Sequence, residues 1–571
     1  MKRLWNINSS DSDLKESLSK ELGLLPITAQ LLLNRGINSV ELAQSYLTPD
    51  LNNIHDPFLL KDMDKAVARL IKAFDDKETV ALYGDYDVDG TTSTALLTMF
   101  FSDIGIKTIS HIPERLIEGY GMNKDAMKLI SDNGASIVIT ADCGVSNAEE
   151  IEYANSLGLD CIITDHHELP EGILPAYALL NPKRPDCTFP FKGLAGVGVA
   201  FNLVMALRTR LREVGKLKDA PNLKRYLDIV TIGTVADMVP LIDENRIFVH
   251  YGLKEINNNP RVGVKALMDV SGVKQGEVKT DSIGFKLAPR INAAGRLDKA
   301  STALNLLIET DERRAIELAE ELDRENSLRR QIEQSILDEV FGMIESGEYG
   351  SKDDKAVVLY KEGWHQGVIG IVASRVVRRY NKPCVMIAID DDGVGKGSIR
   401  GVNSVDMLEG LRHCDKYLDK YGGHKAAAGL TIEKNNLEEF KKEFISFMNT
   451  NINDKELTPT IELDGEIAFG DINSGLVGEI EKLAPFGQAN KEPVLCVKEA
   501  SVKQTTIVGT NHLKVKVGSN GSSIDAIGFG MGDFHPLKGP VDVAFSPYID
   551  TWKGQRNLKL IIKDIKTEGK N

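Results

Sequence analysis

The chain has little of what marks an exported, membrane-bound or zinc-thiolate protein. Six cysteines occur in 571 residues and no two form a CxxC pair; they stand at positions 143, 161, 187, 384, 414 and 496. Such scatter argues against disulfides and structural zinc, and for a reducing, cytoplasmic setting. No apolar run reaches the about 18–20 residues of a membrane helix, and the start MKRLWNINSSDSDL holds no apolar signal core.

The chain also lacks an overall excess of positive charge. Its net charge is −14, so its surface is not coated with charge that would bind nucleic acid. Local basic segments exist: residues 206–226 carry seven Lys or Arg against two acids, and residues 374–382 carry four with no acid. Each segment is either a solvated helix face or a phosphate-binding patch.

Several catalytic signatures are missing as well. No GxSxG motif, P-loop or Cys/His zinc spacing occurs, so serine hydrolases, NTPases and zinc deaminases have no support. Hydrophobic residues make up 42% and charged residues 27%, as in globular proteins with packed cores. The length predicts about three or four domains.

What is present is a regular alternation of short apolar runs and helical segments between residues 78 and 168. This alternation predicts an α/β fold with βαβ units and a parallel sheet. Ligands bind beyond the carboxyl ends of such strands. Acids and imidazoles follow three of the runs: Asp85, Asp87 and Asp89 in YGDYDVDG, Asp142 in ITADCG, and Asp165, His166 and His167 in IITDHHE.

These side chains are candidates for a metal centre, joined by Asp237 in GTVADMVPL. Crowded carboxylates repel one another unless a cation compensates them, and oxygen ligands with imidazole suit Mn²⁺ or Mg²⁺. In an extended stretch, alternate positions would aim all three acids of YGDYDVDG the same way. The alternative is a polar turn permitted by Gly90. We expect a two-metal phosphoester hydrolase. His166 would bind a metal ion, His167 would face the substrate phosphate, and Asp165 would fix the tautomer of a histidine.

The rest of the chain predicts further units. Residues 311–345 form one long helix without Pro or Gly until Gly342, a second α/β unit starts at 356, and residues from about 458 form a β-rich, OB-like barrel. The expected domains are an N-terminal helical extension (1–50), a catalytic domain (51–310), a connecting helix (311–350), a second α/β domain (351–452) and a β domain (453–571).

The second α/β unit carries candidates for phosphate binding. Ser398 and Arg400 in GKGSIRG and His424 in GGHKAAAG lie in glycine-rich turns, where the backbone can approach a phosphate and Arg can grip it. Ordinary β-turns with incidental charge are the alternative. Further candidate phosphate contacts, with Tyr120 for base stacking, are Arg115, Arg290 and Arg296.

Taken together, YGDYDVDG, TADCG, TDHHE, GTVADMVPL, APRINAAGRL, GSIRG and GGHKAAAG resemble the DHH phosphoesterases, named for the triplet Asp165-His166-His167. Their order and spacing are most similar to the single-strand-specific 5′→3′ DNA exonucleases of that family. The resemblance implies a parallel-sheet DHH domain, a long helix, a DHHA1 domain and an OB-like domain, arranged around a narrow channel.

The resemblance also implies residue roles. His167 matches the substrate-side histidine, Ser398 and Arg400 resemble a 5′-phosphate holder, and His424 lies in the loop completing the site. Tyr83 stands where many DHH relatives have a histidine. The positions that match metal ligands, with Asp142 as the bridge and Asp85 as an extra acid near the first ion, are Asp85, Asp87, Asp89, Asp142, His166 and Asp237.

The implied reaction releases mononucleotides from single-stranded DNA with two Mn²⁺ or Mg²⁺ ions, in recombination and repair. A single-strand-binding protein and a helicase are the candidate partners, and the expected state is a monomer. Two alternatives stay open. One is a DHH phosphodiesterase for short oligonucleotides or cyclic dinucleotides, whose chains are usually shorter and lack the β-rich tail. The other is a replication scaffold, although such relatives have lost their acids.

Overall fold

Two α/β units and a closed barrel follow one another along the chain. The computed structural model describes residues 3–114, 118–119, 121–297, 301–347, 350–402, 405–519, 521–551 and 554–567. Within these ranges, no helix combines the length and apolar character needed to traverse a lipid bilayer.

The N-terminal segment packs against the far end of the chain. Its elements are β1 (Leu4–Ile7), α1 (Ser12–Leu22), α2 (Pro26–Leu33) and α3 (Val40–Leu47). Leu31 and Leu32 of α2 are fully buried in the core of the C-terminal unit, and β1 pairs in parallel with the segment Thr460–Leu463. The predicted short helices are present, and they complete a core more than 400 residues further along the chain.

The first α/β unit contains a five-stranded, wholly parallel sheet, as predicted. Its strands are β2 (Thr79–Gly84), β3 (Lys107–His111), β4 (Ala135–Ala141), β5 (Asp160–Thr164) and β6 (Ala178–Leu180). They lie in the order β3-β2-β4-β5-β6. The helices that accompany them are α4 (Met63–Asp76), α5 (Val88–Ile104), α6 (Lys124–Asp132) and α7 (Ala148–Ser156). Helices cover both faces of the sheet, which explains why its strands read as continuous apolar runs.

A helical layer completes the first unit. It consists of α8 (Gly196–Glu213), α9 (Leu227–Ala236), α10 (Asp243–Asn258), α11 (Val262–Val270), α12 (Thr280–Ser282), a π-helical turn (Ile283–Leu287), α13 (Ala288–Leu297) and α14 (Ser301–Ile308). The 18 residues of α8 span about 27 Å. The helix starts at the carboxyl edge of the sheet, so the basic segment 206–226 lies at its far end. There Arg210 pairs with Asp64, and Lys216 pairs with Asp75.

A single helix, α15 (Glu312–Ser346), joins the two α/β units and confirms the predicted long connector. The second unit contains β7 (Val357–Glu362), α16 (Ile369–Tyr380), β8 (Cys384–Ile389), β9 (Val394–Arg400), α17 (Met407–His413), β10 (Lys420–His424), β11 (Ala427–Glu433) and α18 (Leu437–Asn451). Its sheet has the order β10-β11-β9-β8-β7, with β7 and β8 parallel and the other pairs antiparallel.

The C-terminal unit is the predicted small barrel. Its elements are β12 (Thr460–Leu463), β13 (Gly465–Glu466), α19 (Ser474–Lys482), β14 (Leu495–Val508), β15 (His512–Ser519), β16 (Ser522–Gly528), β17 (Pro540–Asp550) and β18 (Asn557–Thr567). The barrel closes because β14 pairs with both β15 and β17, while β18 joins β16 to β17.

Candidate metal centre

The three acids of YGDYDVDG do not lie in an extended stretch, so that part of the prediction is wrong. Asp87 caps α5, its Oδ1 accepting the N–H of Gly90 at 3.0 Å, and Asp89 already lies in the first helical turn. Aspartate is a preferred helix N-cap, which explains why the helix begins here. The acids therefore divide: Asp85 and Asp87 face one cluster, and Asp89 faces another.

Asp89 is held by the start of α8. Its Oδ2 accepts the N–H of Gly196 at 2.6 Å, and its Oδ1 accepts that of Val197 at 2.9 Å. The N-terminus of a helix presents free N–H groups and a partial positive charge, so it fixes the orientation of this buried carboxylate. Gly233 on α9 leaves room for the same group, since a Cβ there would lie 3.1 Å from Oδ1 of Asp89.

Asp142 occupies a strained position at the end of β4. Its φ is +65°, a left-handed conformation that non-glycine residues rarely adopt and that clusters at functional sites. A Cβ on Gly196 would lie 2.7 Å from the Cβ of Asp142, so α8 approaches this carboxylate as closely as a glycine allows. Asp237 enters the site at the end of α9.

Asp165 organises the two histidines that follow it. Its Oδ1 accepts the N–H groups of His166 and His167 at 2.7 and 2.9 Å, and it lies 2.8 Å from Nδ1 of His167. Burial alone would raise the pKa of Asp165, but these contacts to His167 outweigh it and lower the pKa. The ionised carboxylate only accepts hydrogen bonds, so Nδ1 of His167 carries a proton. The tautomer that Asp165 fixes is thus that of His167.

The sequence-distant residues converge on one place. Nε2 of His166 lies 3.1 Å from Oδ1 of Asp142, 3.5 Å from Oδ2 of Asp237 and 3.8 Å from Oδ2 of Asp89. Three groups have ligand atoms within 4.8 Å of one another: Asp85, Asp87 and Asp142; Asp89, His166 and Asp237; and Asp142, His166 and His167. Asp142 belongs to two of these groups, so it lies between the two sets of acids.

The donor atoms fit divalent cations. Oδ1 of Asp142, Nε2 of His166 and Oδ2 of Asp237 are buried and have no hydrogen-bond partner within the described ranges. Burial, then neighbouring carboxylates, raises the pKa of Asp142 and Asp237. Burial, then His167, lowers the pKa of His166 to about 4, which leaves a neutral imidazole. These carboxylates resist ionisation and lie beside a neutral imidazole. A hard or borderline cation stabilises the ionised form of such carboxylates and takes the imidazole nitrogen as a ligand.

A cavity of about 550 Å³, here called the first cavity, opens over this centre. Asp85, Asp87 and His167 line one side; Asn292 and Arg296 of α13, and His424 of the second unit, line the other. Nη1 of Arg296 donates to the carbonyl of Gly367 at 2.7 Å, so the helix of the first unit bridges to the second unit across the cleft.

A second cavity, of about 760 Å³, continues from Arg296 along the second unit to Ser398 and Arg400. Nη1 of Arg400 lies 3.1 Å from Oγ of Ser398. A Cβ on Gly370, in the first turn of α16, would lie 2.8 Å from the same hydroxyl. A guanidinium, a hydroxyl and a helix N-terminus together form a suitable cradle for a phosphate.

Other predicted residues lie elsewhere. Arg290 turns from the cleft to pair with Asp323 of α15 at 2.8 Å. In the basic segment 374–382, Arg375 pairs with Glu333 and Arg379 with Glu345, both on α15. These pairs favour an intramolecular role for that segment. Arg115 and Tyr120 lie outside the described residues.

Several functional residues were not predicted from the sequence: the structural glycines, and polar residues that line the first cavity, among them Asn147 and Asn292. No local motif marked Gly196, and although Gly233 begins GTVADMVPL, its role depends on the packing of α9 against α5 and α8, which the sequence does not show. Asn292 stands inside APRINAAGRL, two residues from Arg290, so the motif offered a signal for it.

The parallel sheet, the Asp-His-His triplet at its carboxyl edge and the orphaned donor atoms define a DHH-type protein. Residues 79–234 match the DHH family N-terminal domain, residues 353–450 the DHHA1 domain and residues 463–564 the RecJ OB domain. The chain belongs to the RecJ family of single-stranded-DNA-specific exonucleases.

The relatives match nearly all of the chain. The single-stranded-DNA-specific exonuclease RecJ of Bacillus subtilis is 36% identical over 99% of this chain and 71% of its own length. That of Escherichia coli is 35% identical over 99% of this chain and 100% of its own. The crystal structure of RecJ in complex with Mn²⁺ from Thermus thermophilus has a TM-score of 0.85 and 27% identity, covering 99% of this chain and 79% of that one.

Proposed function

We propose that this protein is a metal-dependent 5′→3′ exonuclease that releases 5′-mononucleotides from single-stranded DNA in recombination and repair. One observation carries the proposal: the phosphate cradle at Ser398 and Arg400 and the metal centre open into cavities that meet at Arg296. A strand gripped by its terminal phosphate in one cavity would present its first internucleotide linkage in the other.

The proposed ligands of two Mn²⁺ or Mg²⁺ ions are Asp85, Asp87, Asp89, Asp142, His166 and Asp237, with Asp142 between the two ions. When bound, such ions stabilise the charge of the attacked phosphate and of the leaving oxygen and lower the pKa of a water nucleophile. The RecJ structures with Mn²⁺ and Mg²⁺ from T. thermophilus support this choice.

The protein's own groups position the substrate. Burial alone would lower the pKa of His167, but the hydrogen bond between its Nδ1 and Asp165 outweighs burial and raises the pKa. The protonated ring lines the first cavity, where its Nε2 can donate to a non-bridging oxygen of the scissile phosphate. Water attacks phosphorus and the bond to the 3′ oxygen breaks, which leaves a new 5′ phosphate on the remaining strand. Ser146 lines the first cavity, but within the described residues its hydroxyl makes no hydrogen bond to a base, in keeping with direct hydrolysis rather than a covalent intermediate.

Direction and strand selectivity follow from the same geometry. Ser398 and Arg400 hold the 5′ phosphate at a fixed position, so cleavage occurs at a fixed distance from that end. The hydrogen bond from Arg296 to the carbonyl of Gly367 spans the cleft. The substrate must therefore pass beneath this contact and cannot enter from the side. A single strand is flexible enough to do so.

The alternatives have less support. A phosphodiesterase for short oligonucleotides or cyclic dinucleotides would not need the closed barrel, which OB-type proteins use to carry longer single strands. A replication scaffold would not need the complete set of acids and imidazoles.

Further assignments complete the proposal. The domains are those expected from the sequence: 1–50, 51–310, 311–350, 351–452 and 453–571. All six cysteines are free and buried, which supports a cytoplasmic location. We also propose that the protein acts as a monomer, on strands supplied with a helicase and a single-strand-binding protein.

The test uses end-labelled single strands with a 5′ phosphate or a 5′ hydroxyl. The parent should release labelled mononucleotides from the 5′ end only with Mn²⁺ or Mg²⁺. Arg400→Ala should erase the preference for the 5′ phosphate, whereas Arg378→Ala, an exposed arginine of α16, should keep it. Attack from the 3′ end, or an unchanged preference in Arg400→Ala, would overturn the assignment of this cradle.

A further inference from the structure

The second cavity extends well past the cradle at Ser398 and Arg400. Alternate residues of a strand share one face, and β9 places Lys396, Ser398 and Arg400 along the cavity. Lys396 and Arg400 are four positions apart, which corresponds to about 13 Å along the strand. The terminal phosphate therefore occupies only one end of this cavity.

The register of the sheet groups the lining residues into cross-strand rows. Arg400 and His424 flank Ala427, Ser398 and Gly422 flank Gly429, and Lys396 and Lys420 flank Thr431. The first row closes the end near the metal centre, and the middle row has little side-chain bulk. The third row brings two lysines to the far end of the cavity.

The lysines of the third row are available to an anion. Nζ of Lys396 donates to Oγ1 of Thr431 at 3.1 Å, and within the described residues neither Lys396 nor Lys420 forms an ion pair. The acid that lines the cavity, Glu118, is engaged by His111 at 3.1 Å and by Asn123 at 2.8 Å. Among the described residues, the far end of the cavity is thus cationic, with no acid paired to these lysines.

We propose that Lys396 and Lys420 bind a second phosphate group of the substrate, on the 5′ side of the phosphate that Ser398 and Arg400 grip. This inference rests on the proposed function, because it takes Ser398 and Arg400 as the holders of the first phosphate. Two substrates carry such a group. One is a strand with a 5′-triphosphate; the other is an ordinary strand advanced by one nucleotide, from which a dinucleotide leaves.

In both cases the covalent step stays the same. Water attacks the phosphorus of the linkage at the metal centre, the bond to the 3′ oxygen breaks, and the remaining strand keeps the new 5′ phosphate. A triphosphate end then yields a nucleoside triphosphate, and an advanced strand yields a 5′-phosphorylated dinucleotide.

The experiment compares strands of one sequence with a 5′ monophosphate or a 5′ triphosphate and analyses the released products. The double variant Lys396→Ala, Lys420→Ala is set beside Lys434→Ala, Lys442→Ala, which removes the same charge from exposed positions outside both cavities. Each result is expressed as a ratio within one variant, so a general loss of activity cancels.

If the second phosphate belongs to an anhydride, the double variant should lower the kcat/KM ratio of triphosphate to monophosphate strand at least fivefold. If it belongs to an additional nucleotide, the dinucleotide fraction from the monophosphate strand should fall at least fivefold. The control should change neither ratio. Unchanged ratios in an active double variant would overturn this inference alone, whereas a parent that does not degrade the monophosphate strand would overturn the proposed function.

Discussion

The main-chain N–H of Gly196 lies 2.6 Å from Oδ2 of Asp89, so the first residue of α8 holds a carboxylate of the metal centre. The same glycine faces Asp142, where an added Cβ would come within 2.7 Å of the aspartate's own Cβ. One helix start therefore sets the positions of two acids from different elements, one in the first turn of α5 and the other just past β4.

Gly196→Ala should impair catalysis without unfolding the protein. The new methyl group must displace Asp142, and misplacing a catalytic group by about 1 Å costs about 100-fold in rate. We expect at least a tenfold lower kcat in Mn²⁺-dependent hydrolysis of a single strand. Gly342→Ala on α15, where a Cβ meets nothing within 4 Å, is the control. Equal rates in the two variants would show that Asp142 tolerates the displacement.

Asp142→Asn should separate activity from stability. Asparagine tolerates the left-handed backbone at φ +65°, so the fold should persist. A residue that only orients a metal ligand already contributes about 10–100-fold to affinity or activity, so loss of this ligand should cost more than about 100-fold. The metal-free variant should nevertheless melt at a higher temperature than the metal-free parent, because one of several repelling carboxylates is gone.

The melting curves also report binding. Mn²⁺ at about 100 times its Kd stabilises a folded protein by about 2.7 kcal/mol, so it should raise the Tm of the parent and leave that of Asp142→Asn nearly unchanged. Asp132→Asn, an exposed acid on α6, should behave like the parent. A Mn²⁺-induced rise of equal size in Asp142→Asn would remove Asp142 from the ligand set.

The sequence sufficed to predict that these acids and histidines lie together, because parallel strands bring their carboxyl ends to one edge. It did not reveal how the acids divide, since that depends on β2 ending at Gly84 and on Asp87 capping α5. Nor could the sequence tell which of Arg290 and Arg296 faces the cleft. Six residues apart on a helix, they point about 120° apart, so one faces α15 and the other the cleft. The packing of α2 into the barrel core involves residues too distant in sequence for any local pattern to predict.

Glu244 should make stability depend on pH. Burial raises its pKa from 4.5 to about 8. Its Oε1 accepts the N–H of His55 at 2.7 Å, while Oε2 lies buried beside Asn202. The unfolded chain loses this proton near pH 4.5 and the folded protein only near pH 8. As the pH rises from 4.5 to about 8, the free energy of unfolding should therefore fall by up to about 1.4 kcal/mol per pH unit.

Glu244→Gln should remove this dependence. The glutamine keeps the acceptor for His55 and gains an amide that can donate to Oδ1 of Asn202, a buried atom without a hydrogen-bond partner within the described ranges. We expect the variant to exceed the parent in stability at pH 8 and to lose that advantage near pH 4.5, as measured by urea unfolding across this range. Glu255→Gln, half-buried on the same helix, is the control. Parallel pH profiles for parent and variant would contradict the assignment.

Arg246 fastens the barrel unit to the first α/β unit. From α10 its guanidinium donates to the carbonyls of Leu483 at 2.8 Å and Ala484 at 2.9 Å, just past the end of α19, and lies 3.8 Å from the ring centre of Tyr46. Arg246→Met keeps most of the apolar contact but removes these hydrogen bonds. Hydrogen bonds to charged groups are worth about 1.5–3 kcal/mol each, so the interface should lose at least about 3 kcal/mol.

Hydrogen exchange in α19 should then accelerate more than exchange in β4, which lies in the first unit's sheet. Arg210→Met, on the exposed end of α8, should leave both rates unchanged. Uniform acceleration in Arg246→Met would instead mean that the two units unfold together.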